Sequence, residues 1–263
     1  MTAAKGRVLI VAGSDSGGGA GIQADLKAVT MLGGFGMTAI TALTAQNTLG
    51  VFGIHPVAPD FVIQQMRVVL DDLGADVIKI GMLGSAEITE AVADFLETIP
   101  DIPVVLDPVM ISTSGSALLD HLGMLAMKQR LLPRAAIVTP NLREAEALTG
   151  RPAATLDDME AVAAELLSAG AQSVLVKGGH LEGDELVDLL MASGLRAEFR
   201  HPRIDTRHTH GTGCTLASAI AAGLAQGLTL PQAVEIGCAY VQAAIRGAPG
   251  FGAGHGPLGI GKA

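Results

Sequence analysis

Arg7-Val8-Leu9-Ile10-Val11-Ala12, followed at once by Gly13-Ser14-Asp15-Ser16-Gly17-Gly18-Gly19-Ala20-Gly21, is the stretch that decides the fold. An apolar run without alternation of polar side chains reads as a strand buried on both faces, as in a parallel sheet covered by helices. The glycine loop then hands the chain to a helix expected over residues 22–32. The loop is not a dinucleotide fingerprint. Gly17 and Gly19 are followed by Gly21 rather than by the third glycine of that motif, and no acidic residue closes a second strand about 20 residues later.

The same alternation continues outward. Strands are expected over residues 36–44, 51–57, 76–80, 103–106, 135–138 and 173–177. A hairpin-like pair follows at 186–191 and 196–204, around Ser193-Gly194, where the sheet turns antiparallel. Helices are expected from Pro59, from a Ser85 cap, and over 120–132, 157–169, 214–226 and 231–246. Strands alternating with helices give an α/β fold with a mainly parallel central sheet and helices on both faces, read as one domain over residues 1–263. Cys238, among Ile236, Tyr240 and Val241, reads as an inert core thiol. Residues 247–263 are glycine-rich and read as a loop with no assigned role.

Composition limits the function. The 263 residues are 49% hydrophobic and 16% charged, which suits a packed core rather than a disordered chain. No apolar run approaches the roughly 18 residues of a membrane span, and the N-terminus lacks a signal-peptide pattern. Two cysteines make no disulfide framework, so a cytoplasmic protein is expected. A net charge of −9 without a basic run, and only 3% aromatic residues, argue against nucleic-acid or membrane partners.

In open parallel sheets, ligands bind beyond the carboxyl ends of the strands. Gly13, Gln46, Met82, Asp107, Asn141 and Lys177 all fall at expected strand ends, which points to one site. Asp25 lies just inside the first helix, where a carboxylate also suits the helix dipole. Asn141 and Glu144 fit a capping-box pattern, a structural use compatible with a place near metal and phosphate. His210-Gly211-Thr212-Gly213-Cys214-Thr215 adds a glycine loop before a helix. Backbone N–H groups there can turn to a common point, either as an anion cradle or as an ordinary tight turn. The helix N-terminus is expected to favour the Cys214 thiolate. A zinc site from His208, His210 and Cys214 is the weaker alternative, because no complete four-ligand spacing is present.

Taken in order, residues 12–25, 41–48, 79–83, 106–110, 139–145, 176–180 and 209–215 closely resemble the hydroxymethylpyrimidine and phosphomethylpyrimidine kinases of thiamine biosynthesis. The resemblance covers essentially the whole chain. It implies a three-layer α-β-α ribokinase-like fold, ATP and Mg²⁺ use, and two successive phosphorylations of an aminopyrimidine, with a homodimer as the expected assembly. By that resemblance Asp25 and Gln46 would hydrogen-bond the pyrimidine edge, while Gly13, Met82 and Val109 shape its slot. Asp107 and Glu144 would hold Mg²⁺. Asn141, Lys177 and Gly179 would lie along the ATP phosphates. Gly211, Thr212, Gly213 and Cys214 would cradle the transferring phosphoryl group, with Cys214 as base where the wider ribokinase-like group has Asp. A pyridoxal kinase of the same fold, or a non-catalytic pyrimidine sensor, stands as the alternative.

Overall fold

The computed structural model describes residues 6–111, 115, 118–179 and 185–260. Among the described residues, nine strands form one sheet: β1 (Arg7–Asp15), β2 (Phe35–Asn47), β3 (Gly50–Pro56), β4 (Val77–Ile80), β5 (Val104–Leu106), β6 (Ile137–Val138), β7 (Ser173–Val176), β8 (Glu185–Ala192) and β9 (Leu195–Pro202). The same residues hold the α-helices α1 (Gly21–Met31), α2 (Pro59–Asp72), α3 (Ala86–Glu97), α4 (His121–Ala126), α5 (Leu142–Thr149), α6 (Leu156–Ser168), α7 (Thr212–Ala225) and α8 (Leu230–Arg246). The strand order is β3-β2-β1-β4-β5-β6-β7-β8-β9. The interior pairs are parallel, and antiparallel pairs close both edges.

Successive side chains of a strand point to opposite faces, and β1 shows what that does to an uninterrupted apolar run. Leu9 and Val11 enter the core shared with Met66 of α2, Val92 of α3 and Leu166 of α6. Val8 and Ile10 enter the opposite core, with Val29 of α1, Ile220 of α7 and Val234 of α8. Two apolar faces therefore sit between two helical layers. Full burial of each such aliphatic side chain contributes about 1.5–3 kcal/mol relative to exposure.

The expected helix over 120–132 is shorter than its periodicity suggested. Asp120 caps α4 by accepting the Gly123 N–H at 2.7 Å. The chain then widens into a π-turn at Met127–Leu131 and tightens into a 3-10 turn at Leu132–Arg134. Pro133 has no amide hydrogen to continue the α-helical pattern. The glycine-rich segment after α8 lacks regular structure but is tied down. Gly259 N–H donates to Ala244 O at 2.9 Å, His255 N–H to Thr48 O at 2.9 Å, and His210 N–H to Gly256 O at 3.2 Å. Among the described residues, no helix is long and apolar enough to cross a membrane.

Asp25 departs from its expected place at the ligand. It is fully buried on α1, and its carboxylate is already engaged. Lys79 Nζ from β4 donates to its two oxygens at 2.9 and 3.0 Å, and Ser218 Oγ from α7 donates at 2.7 Å. The helix period turns this side chain inward, toward the one charged residue of the buried strand β4. Burial works against the Lys79 ammonium, but the charges of Asp25 and Asp107 hold its pKa above the ordinary lysine value.

Asp25→Ala leaves that ammonium buried without its partner, and we expect a loss of about 3–5 kcal/mol in denaturant unfolding. Lys79→Met placed on the same background should restore most of the loss. A single-variant cost below about 1 kcal/mol, the range of exposed ion pairs, would contradict this account.

Candidate active site

A cavity of about 530 Å³ opens at the carboxyl ends of the central strands. Of the expected site residues, Gly13, Gln46, Met82, Val109, Asp107, Asn141, Glu144, Lys177, Gly179 and the run Gly211, Thr212, Gly213 and Cys214 line it. Asp25 does not, because it lies beneath the floor with Lys79, which does reach the cavity. His180 of the expected phosphate segment, and positions 112–114 and 116 of the small-residue loop after Met110, lie outside the described residues.

One wall is organised by Asp15 at the end of β1. Its Oδ1 accepts the Gly17 N–H at 2.8 Å, and its Oδ2 accepts those of Gly19 and Ala20 at 3.0 and 2.8 Å. His210 Nε2 stands 3.0 Å from the same Oδ2. Burial raises the Asp15 pKa, yet the His210 contact and the backbone donors more than reverse this, holding it below the ordinary carboxylate value. This pair joins the first glycine loop to the last. Gly211 caps α7 with φ +88°, and a Cβ there would fall on the Gly19 carbonyl oxygen, so only glycine allows the two loops to touch. Beyond the cap, the Thr212 N–H donates to Thr209 O at 3.2 Å, whereas the next first-turn amides of α7, those of Gly213 and Cys214, have no intrahelical acceptor and form the positive end of the helix dipole.

The opposite wall carries charge. Lys177 Nζ lies 3.1 Å from Asp107 Oδ1 and 3.9 Å from Glu144 Oε2. Asn141 and Glu144 form the expected capping box on α5, with Asn141 N–H donating to Glu144 Oε2 at 2.8 Å and Glu144 N–H to Asn141 Oδ1 at 2.9 Å. Burial, and then the charge of Asp107, push the Glu144 carboxyl up to about 7, against Lys177 and the Asn141 N–H. Asp107 Oδ2 is buried without any hydrogen-bond partner among the described residues. Gly213 packs onto this group, since a Cβ there would stand 3.1 Å from Lys177 Nζ. The start of α7 and the charged wall therefore share an edge. A third side is apolar: Met82 and Leu118 pack with Ala42 and Val109.

Three features escaped the sequence reading or reversed it. Asp15 was hidden inside a loop read for its glycines. Lys79 was legible in principle, because a lone charge in the strand Val77–Ile80 demands a buried partner. Cys214 reverses the expectation of a stabilised thiolate. The side chain is enclosed at the cavity wall, and desolvation there, reinforced by Asp25 and Asp107, pushes the thiol up to about 12 against Lys79 and the Gly21 N–H. The helix N-terminus does not offset that cost. The zinc alternative at His208, His210 and Cys214 is not assembled, because His210 turns Nε2 to Asp15 and the three form no metal-ligand group among the described residues.

A raised pKa keeps the thiol protonated at neutral pH, and the thiolate fraction grows as pH rises. Alkylation of Cys214 in the native, ligand-free protein, followed by peptide mass spectrometry, should therefore be slow near pH 7 and accelerate steadily toward pH 9. Rapid modification at pH 7 would show that the thiolate is favoured after all.

The phosphomethylpyrimidine kinase family model matches residues 15–259 of the chain. The chain is 51% identical over 254 residues to the Geobacter sulfurreducens thiamine biosynthesis bifunctional protein ThiED; the match takes in 97% of this chain and 52% of that protein, so the chain spans about half the length of this relative. It is 46% identical over 252 residues to the hydroxymethylpyrimidine/phosphomethylpyrimidine kinase of Bacillus subtilis, covering 95% of this chain and 93% of that one. Among solved structures, the ADP complex of Bacillus subtilis pyridoxal kinase superposes with a TM-score of 0.91 at 34% identity, covering 98% of both chains. With the family model matching nearly the whole chain and the cavity at the strand ends lined as described, the chain belongs to the phosphomethylpyrimidine kinase family of phosphotransferases.

Proposed function

We infer that this chain is a hydroxymethylpyrimidine and phosphomethylpyrimidine kinase of thiamine biosynthesis. It transfers a phosphoryl group from ATP to 4-amino-5-hydroxymethyl-2-methylpyrimidine and then a second to the monophosphate, giving the pyrophosphate. The observation that carries this reading is the meeting of three walls in one cavity: an apolar slot at Met82 and Val109, a helix-terminal N–H cradle, and a charged wall with a buried unpartnered oxygen on Asp107. Gln46 and Gly13 border the slot on the pyrimidine side. An amide at Gln46 can donate and accept, as a ring nitrogen beside an exocyclic amine requires. Asn141, Lys177 and Gly179 lie on the side proposed for the ATP phosphates.

The donor set suits a hard cation. Asp107 and Glu144 supply oxygens only, and Asp107 Oδ2 has its acceptor capacity unspent. Mg²⁺ held there would offset negative charge on the phosphate oxygens. Phosphoryl transfer has a loose transition state in most analyses, so positioning and charge stabilisation supply most of the rate. Lys177 brings a cation to that charge, and the loop Gly211 to Cys214 receives the phosphoryl oxygens through the N–H groups that remain after Thr212 has donated to Thr209 O. As the substrate hydroxyl oxygen bonds to the γ-phosphorus and ADP leaves, the hydroxyl proton passes to Cys214 Sγ. That acceptor is the thiolate, the minor form at neutral pH, and Lys79 and the Gly21 N–H are the groups that favour it against burial.

One kinase domain spanning residues 1–263 works in this reading as a cytoplasmic homodimer. Both cysteines are free, which suits a reducing compartment. The edge strand β3 exposes Phe52 and Ile54, an apolar border suited to a second copy.

The two steps differ in their need for a base. The first acceptor is a neutral alcohol, whereas the second is a phosphate that is already anionic at neutral pH. Cys214→Ala should therefore lower kcat of the first phosphorylation by about 10²–10⁴-fold and that of the second far less. Product time courses with ATP and Mg²⁺, resolving monophosphate from pyrophosphate, measure both; equal losses would move Cys214 from proton transfer to the cradle alone. The same assay with pyridoxal run alongside tests the substrate. Turnover of pyridoxal without turnover of the pyrimidine, or ligand binding without ADP release, would overturn the assignment.

A further inference from the structure

Outside the cavity, α8 and the β8–β9 hairpin bring together three side chains that the kinase chemistry does not use. Asp188 on β8 pairs in register with Phe199 of β9, and His201 lies two residues further on, so both side chains stand on the same face of the sheet. Cys238 of α8 packs onto that face. His201 Nε2 is 3.4 Å and Cys238 Sγ 3.7 Å from the same oxygen, Asp188 Oδ2. All three atoms lie within 4.8 Å of one another. Cys238 is thus buried, as expected, but it is not surrounded only by core side chains.

The two separations to Asp188 Oδ2 are those of a metal's coordination shell. With Zn–S near 2.3 Å and Zn–N and Zn–O near 2.0–2.2 Å, neighbouring ligands of a tetrahedral zinc stand roughly 3.3–3.7 Å apart. The two measured separations fall within that interval. A carboxylate, a thiolate and a neutral imidazole carry two negative charges, which matches a divalent cation in a place where net charge is costly. Sulfur and imidazole nitrogen select zinc-like ions over Mg²⁺, which prefers oxygen. Access is provided from the His201 side, where the side chain is 15% exposed. Glu235, one turn before Cys238, adds further negative potential at the thiol.

We propose that Asp188, His201 and Cys238 form a Zn²⁺ site, with a water molecule in the fourth position. Binding replaces the Cys238 thiol proton, which is released to solvent, by a sulfur–zinc bond. No redox change or co-reactant is involved. The site has a structural consequence, because the other carboxylate oxygen, Asp188 Oδ1, accepts the Gly178 N–H at 2.8 Å. Gly178 lies between Lys177 and Gly179. A metal fixing Asp188 therefore braces the turn that carries the Lys177 ammonium, as outer-shell hydrogen bonds brace other metal sites.

Co²⁺ reports a thiolate ligand directly through a near-ultraviolet sulfur-to-metal charge-transfer band. In chelator-stripped full-length protein titrated with Co²⁺ alone, the band should saturate at one equivalent per chain and be displaced by Zn²⁺. It should persist in Cys214→Ser and vanish in Cys238→Ser. His201→Ala, a change at a part-exposed strand position that leaves the fold standing by circular dichroism, should weaken Co²⁺ binding at least tenfold. Absence of the band in the unsubstituted chain, its survival in Cys238→Ser, or unchanged affinity in His201→Ala would each overturn the site.

Discussion

The buried Asp25–Lys79 pair is the constraint on which the site floor depends. It joins α1, β4 and, through Ser218, α7, three elements that each end at the cavity. Such a pair adds little net stability compared with well-packed apolar residues of similar size, because desolvation offsets most of the Coulomb attraction. What it supplies is position. An ammonium fixed from below adds a positive charge beneath a cavity whose walls carry Asp15, Asp107 and Glu144 together with Lys177, Arg143 and Arg203. That charge bears on Cys214 as well, so the floor and the reacting wall are electrostatically one unit.

Much of this was legible from residue order. The uninterrupted run of Arg7–Ala12 implied burial on both faces, and β1 feeds two separate cores through alternate side chains. Strand ends carrying Gly13, Gln46, Met82, Asp107, Asn141 and Lys177 converge because parallel strands all finish on one side of the sheet. The Asn141–Glu144 capping box was visible as a pattern, and its geometry is present. What could not be read was which way single side chains turn. Asp25 faces inward because Lys79 awaits it there, a pairing between positions 54 residues apart that no local pattern encodes. Asp15 was obscured for the opposite reason, since its partners are mostly backbone amides of its own loop together with a distant histidine.

Cys214 shows how two physical effects that share a location compete. A helix N-terminus stabilises an anion by an amount that fades within one turn and is weakened by solvent. Partial burial at the cavity wall strips water from much of the thiolate and places Asp25 and Asp107 nearby. The second effect is larger here. The sequence displays the helix start but not the partial burial beside two carboxylates that sets the direction of the shift. A wall that keeps its thiol neutral also guards it against oxidation and alkylation while the cavity is empty.

The Asp15–His210 contact has a further consequence for how the molecule comes into being. It joins residues 195 positions apart, and His210 is in turn held by the Gly256 carbonyl. Closing so long a stretch of chain must precede any reward from the contact, and topologies dominated by such distant pairings fold slowly. The glycine loop that follows His210 therefore has no early, half-built version. During synthesis the sheet can begin to assemble around β1, but this side of the cavity is completed late, only after His210 has reached Asp15 of β1 and the segment beyond α8 has closed on His210.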